Sequence, residues 1–164
     1  MPTKTLKDLF IHSLSDIYSA ERQMTMSLPK MARASSNQDL KAAFEKHLKE
    51  TQAQVQRIDQ IVETSGIKLK RVKCVAMEGL IEEGQEEIDE IENGPVLDTA
   101  LIAAAQKAEH YEIASYGSLI ALGKQLGEME AVKLLAETLA EEKATDEALS
   151  LLAEEKVAAE ALGK

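Results

Sequence analysis

Glu109 and Glu112 stand three residues apart inside the stretch QKAEHYEIASYG, residues 106–117, in a helical pattern that is otherwise apolar. Leu101, Ala105, Ala108, Ser115, Leu119, Leu122 and Leu126 recur around them at the spacing of a helix face turned to a core. Glu112 falls on that stripe, and Glu109 lies one turn earlier on its edge. A carboxylate on a buried face is costly unless it is paired, protonated or bound to a cation, so any fold for this chain must compensate these two.

Composition restricts that fold to helices. Aromatics make up 3% of the chain, tryptophan is absent, and the few prolines and glycines bound no alternating runs of strand type. A length of 164 residues suits a single domain, 1–164, with a core large enough to stand without disulfides or structural zinc. The one cysteine, Cys74, excludes an internal disulfide and a cysteine metal cage, and fits a reducing compartment. The start, MPTKTLKDLF, lacks the apolar stretch of a signal peptide, and no run approaches the roughly 20 apolar residues of a membrane span. The expectation is a cytoplasmic protein that does not enter membranes. A net charge of −10 opposes non-specific binding to nucleic acid and anionic membranes and favours the approach of cations.

The pattern predicts four long helices. The first runs from about Thr5 to Ala34 on the stripe Leu6, Phe10, Leu14, Ile17, Met24, Leu28 and Met31, with Glu21 at a core position and Pro29 inside. The second runs from about Gln38 to Ser65 on Leu40, Phe44, Leu48, Val55, Ile58 and Val62, with His47, Glu50 and Gln54 as a neighbouring stripe and Gly66 as its end. A shorter helix near Cys74 to Ile91 has Met77, Leu80, Ile81, Ile88 and Ile91 on one side and an acidic other side. The third long helix, about Val96 to Leu126, is separated by Gly127 from the fourth, about Glu128 to Ala159, on Ala131, Leu135, Leu139, Leu149 and Leu152. Two hairpins joined by a connection of about 30 residues imply a ferritin-like four-helix bundle with one long crossover that contains a fifth, shorter helix.

Counting outward from each turn brings the acids to common heights. Glu21 and Glu50 lie about 15 and 14 residues from the first turn, and Glu112 and Glu142 each about 15 from the second, roughly 22 Å along the helices at about 1.5 Å per residue. One turn further out, Glu109 matches Asp146. Lys49, Lys107 and Lys143 are offset from these positions and should point away, so the inward stripes offer few basic partners. Crowded carboxylates without partners call for cations, and hard oxygen ligands with one or two imidazoles suit a pair of iron or manganese ions. His47, three residues before Glu50, is read as a metal ligand, a hydrogen-bond partner of a ligand carboxylate, or a core-edge histidine satisfied by a neighbouring helix.

The stretches IHSLSDIYSAERQ, HLKETQAQVQRIDQIVE, CVAMEGLIEE, TALIAAAQKAEHYEIASYG and ETLAEEKATDEAL resemble the YciE/YciF family of bacterial stress proteins over almost the whole chain. That resemblance implies a dimeric, rubrerythrin-related member of the ferritin-like superfamily with stress-associated expression. It carries the superfamily's ligand pattern onto Glu21, Glu50, Glu109, Glu112 and Glu142. Where the superfamily has Glu-x-x-His on the second and fourth helices, this chain has Ala53 and Thr145.

The expected function is a di-metal carboxylate protein acting on iron, oxygen or peroxide, with a metal-stabilised structural or interaction protein as the alternative. A homodimer is expected, with the crossover helix either covering the bundle or meeting a partner. His12 is read as a surface group, His110 as a surface group or one that backs the ligands from behind, Tyr18 and Tyr116 as core residues able to donate to the site, and Cys74 as an inert buried thiol.

Overall fold

Thr5 starts the first helix by a capping box: its hydroxyl accepts from the Asp8 N–H at 3.0 Å, and Asp8 Oδ2 accepts from the Thr5 N–H at 3.1 Å. In this computed structural model, which describes residues 2–163, the expected domain's residues 1 and 164 lie outside the described residues. Helix α1 (Leu6–Ala34) runs through Pro29 without ending there. Helix α2 (Gln38–Ser65) starts on Asn37, whose side chain accepts from the Asp39 and Leu40 N–H groups, and stops at Gly66, whose φ of 64° suits a residue without a Cβ. Then come α3 (Val75–Glu90), α4 (Pro95–Gln125) and α5 (Met129–Leu152). The fourth long helix does not end as a plain α-helix: a π-helical turn, Ala153–Val157, and a last α-turn, Ala158–Ala161, carry it on.

The long helices form a four-helix bundle in which α1 packs on α2 and α4, and α5 packs on α2 and α4. Its sense is fixed at one end by Asp98. This carboxylate, fully buried in the first turn of α4, accepts from the Ser36 N–H at 2.7 Å and the Asn37 N–H at 2.9 Å, and Asn93 donates to the Ala34 carbonyl at 3.0 Å. The starts of α2 and α4 therefore share one end, so these helices run parallel and the connection between them crosses the bundle lengthwise. Along that path Ser15 and Ser19 accept from the Lys70 and Cys74 N–H groups, each at 2.9 Å, and pin the extended segment 67–74 to α1. Helix α3 then covers the α1–α4 groove, with Met77 fully buried and Leu80, Ile81 and Ile88 packed on the core. Of the two expected positions, the crossover helix takes the one over its own bundle.

The core faces depart from the apolar stripes in a consistent way. On α2 the buried positions are Leu40, Phe44, His47, Thr51, Gln54, Ile58 and Ile61, while Leu48, Val55 and Val62 are half-buried. On α4 Tyr116 is buried and Ser115 is not; on α5 Thr138 is buried and Leu139 is half-buried. Each is a rotation by about one residue, and each puts a polar side chain inside at mid-bundle. Leu6, placed on the α1 stripe by spacing, stands exposed at the helix start.

Candidate metal centre

Three helices deliver four glutamates to the middle of the bundle: Glu21 from α1, Glu109 and Glu112 from α4, and Glu142 from α5, none more than 1% exposed. Helix α2 contributes His47, 2% exposed, instead of a carboxylate. One donor atom from each of His47, Glu109 and Glu142 lies within 4.8 Å of the others, and the same holds for Glu21, Glu112 and Glu142. Glu142 belongs to both groups.

Most of these donors have no partner. Both oxygens of Glu112, both of Glu142, and one each of Glu21 and Glu109 are buried without a hydrogen bond. His47 Nε2 lies 2.8 Å from Glu109 Oε1 and 3.7 Å from Glu142 Oε2, yet makes no aligned hydrogen bond, so the contacts are ion pairs set off the N–H axis. Tyr116, itself buried, donates to Glu21 Oε1. The nearby guanidinium is engaged elsewhere: Arg57 forms a bidentate pair with Glu141 at 2.5 and 3.0 Å and donates to Thr138. Among the described residues His47 is the one basic group within ion-pair distance of the four glutamates.

Burial pushes the carboxyl pKa values up, and mutual repulsion adds to it. Glu21 rises from 4.5 to about 8 through loss of solvent, only partly offset by Tyr116 and His47. Glu112 rises well above the ordinary range for the same first reason, helped by the charges of Glu21, Glu142 and Glu109. Glu142 does so through burial and the adjoining Glu109. Burial opposes the charge on His47, but Glu109, Glu50 and Glu142 together outweigh it and raise the imidazole.

Two of the six predicted acids do not join this cluster. Glu50 sits at the right height but faces the rim, 22% exposed, where its Oε2 accepts from Thr145 at 3.2 Å and lies 3.3 Å from His47 Nδ1. On α2 the buried face runs through His47, Thr51 and Gln54, and Glu50 stands at its edge. Asp146 points to the outer side of α5, held by Gln106 at 3.3 Å and by His110, 69% exposed, at 3.0 Å. His12 is exposed, and Tyr18 stacks under Arg22 instead of reaching the cluster. Cys74 caps α3, touches Tyr111 at 3.2 Å, and has its thiol pKa raised by burial despite the neighbouring basic residues.

Sequence spacing put Gln54 on the stripe beside His47 but did not find Thr138, Arg57 and Glu141, which form one network with it beside the cluster, Gln54 donating to Glu141 at 3.2 Å. The signal present in the sequence was a basic residue, Arg57, and an acid, Glu141, on helices that the bundle packs together.

The donor set suits divalent ions. Once deprotonated, the four carboxylates would carry four negative charges, which two divalent cations would neutralise, with His47 neutral to offer its lone pair. Six buried oxygens without hydrogen bonds are otherwise hard to account for in a folded core.

The comparisons agree with this architecture. A family described as Domain of unknown function (DUF892) matches residues 5–162. Protein YciF of Escherichia coli (strain K12) is 62% identical over 144 residues, 87% of either chain. The chain belongs to the DUF892 family. Its resemblance to YciE/YciF proteins holds over the same span. Among solved structures, the E. coli stress protein YciF superposes with a TM-score of 0.89 at 62% identity, covering 92% of this chain and 95% of that one. YcfI of Rhodopseudomonas palustris, provisionally described as a structural protein, gives 0.87 at 46% identity, covering 90% and 94%. A protein of Xanthomonas campestris pv. campestris, at 22% identity and a TM-score of 0.74 over 94% and 95% of the two chains, shares the fold. No helix among the described residues is long and apolar enough to cross a membrane.

Proposed function

We propose that this DUF892 protein is a stress-associated di-metal carboxylate protein that holds two iron or manganese ions in its bundle and acts on iron, oxygen or peroxide. The observation that carries the reading is the set of six buried glutamate oxygens and the His47 Nε2 left without hydrogen bonds at one point of the core. Glu21, Glu109, Glu112, Glu142 and His47 would hold the ions. Iron(II) in such a cradle supplies electrons for the reduction of dioxygen or peroxide. The chain's own part is to position and to exclude water. Tyr116 fixes one oxygen of Glu21 and leaves the other free. Glu50 and Thr145 occupy the Nδ1 side of His47, so that Nε2 is the nitrogen presented to the cradle. Ile17 on α1 and Ala108 and Leu119 on α4, the helices that carry Glu21, Glu109 and Glu112, are buried in the apolar core. The stress association draws on the E. coli relative described as a stress protein, and a cytoplasmic setting accords with it.

The second reading is a metal-stabilised structural protein, favoured by Ala53 and Thr145 standing where the superfamily has imidazoles and by the description of the Rhodopseudomonas relative. Anaerobic loading with iron(II) followed by oxygen separates them. The enzyme reading expects oxygen to be consumed in repeated cycles as iron(II) is resupplied; tight binding with no consumption assigns the structural role instead.

The proposal includes a homodimer. Met26, exposed on α1, and half-buried Val55 on α2 lie on one groove of the outer surface, away from the face that α3 covers. Light scattering at micromolar concentration should return twice the 17.9 kDa chain mass, and a monomer would reject this part.

A further inference from the structure

The two donor groups differ in kind. His47, Glu109 and Glu142 offer one nitrogen with carboxylate oxygens, whereas Glu21, Glu112 and Glu142 offer oxygen only. Both Glu142 oxygens are buried and unpartnered, so this one side chain can give an oxygen to each group. No second imidazole balances His47: His110 is on the surface against Asp146, and His12 is exposed. Thr145 contacts Glu50 and His47 Nδ1 on the rim. The groups also differ in charge, since apart from the shared Glu142 one has a single carboxylate and the other has two.

Building on the di-metal reading, we propose that the bundle contains two inequivalent divalent-metal positions bridged by Glu142, a nitrogen-bearing one at His47 and Glu109 and an all-oxygen one at Glu21 and Glu112, which take different ions. Imidazole nitrogen favours borderline cations such as cobalt(II) and zinc(II), whereas an all-carboxylate set discriminates least against the hard manganese(II) ion. With one equivalent of each present, cobalt(II) goes to the His47 side and manganese(II) is left with the carboxylate side.

The test uses the full-length chain, stripped by chelation and given one equivalent each of cobalt(II) and manganese(II). The expected product is a mixed pair, with a cobalt ligand-field spectrum showing nitrogen ligation and a manganese resonance perturbed by the neighbouring cobalt. His47→Gln keeps a polar donor and should weaken the cobalt(II) step at least about tenfold while moving the manganese(II) step little; Glu21→Gln should do the reverse. A statistical mixture, in which about half the chains hold two ions of one kind, would overturn the inference alone. So would cobalt(II) affinity unchanged by His47→Gln. Binding of fewer than two ions per chain would overturn it together with the di-metal reading.

Discussion

Glu112→Gln is expected to make the metal-free chain more stable and the metal-loaded chain less so. Both oxygens of Glu112 are buried without a hydrogen bond, and burial with three neighbouring glutamates holds its pKa well above 4.5. Without metal the group must be protonated to stay inside. Holding it protonated at neutral pH costs stability, because the same carboxyl is ionised in the unfolded chain. A neutral amide of the same shape removes most of this cost, and the melting temperature should rise by a few degrees. With metal the balance reverses, because the substitution deletes an anionic ligand. Saturating manganese(II), at about 1,000 times its dissociation constant, should stabilise the wild type by about 4 kcal/mol and the variant by much less. Melting curves of both proteins, with chelator and with manganese(II), test this. A variant less stable than wild type in chelator would show that Glu112 makes a favourable contact that the account omits.

The metal-free protein should also lose stability as pH rises, the opposite of what paired carboxylates usually give. A carboxyl whose pKa is higher folded than unfolded contributes stability that is fully present below the unfolded value and is lost as pH climbs through the folded one. For Glu21 that window runs from 4.5 to about 8. Glu112, Glu142 and His47 are raised too, so their contributions fall in the same direction. Glu50 is lowered, chiefly by His47, and acts the other way, but only below its ordinary range. Glu21 alone implies a loss of about 4 kcal/mol between pH 5 and pH 8.5, a large part of the roughly 5–15 kcal/mol that holds a domain folded. Metal binding needs deprotonated ligands and strengthens with pH, so manganese(II) should flatten or invert the slope. Thermal melts of chelated protein across that range should fall steadily; a flat or rising profile would mean that the glutamates are solvated or paired.

Helix limits and connectivity were legible because they depend on local signals. Thr5, Asn37, Gly66, Gly94-Pro95 and Gly127 mark ends that backbone geometry respects. Heights were legible as well, since residue counting from a turn measures distance along a helix, and Glu21, Glu112 and Glu142 meet as counted. Direction around each helix axis was not. Apolar periodicity chose Leu48, Val55, Ser115 and Leu139, whereas the buried neighbours are His47, Gln54, Tyr116 and Thr138. A polar mid-bundle core hides from a rule that equates inward with apolar, and the stripe of His47, Glu50 and Gln54 is buried at its two ends while Glu50 stands at the edge. Asp146 had the right height and the wrong side for a related reason, because height along a helix says nothing of direction around it. Asp98 was missed because its partners are two backbone N–H groups more than 60 residues away.

The most direct test of the di-metal account is the metal content of the full-length protein purified under iron- and manganese-replete conditions, measured with the carboxylate cluster intact and after His47→Gln and Glu112→Gln. The account predicts close to two ions per chain in wild type and a clear loss in both variants. Fewer than about one ion per chain in wild type, unchanged in the variants, would contradict it.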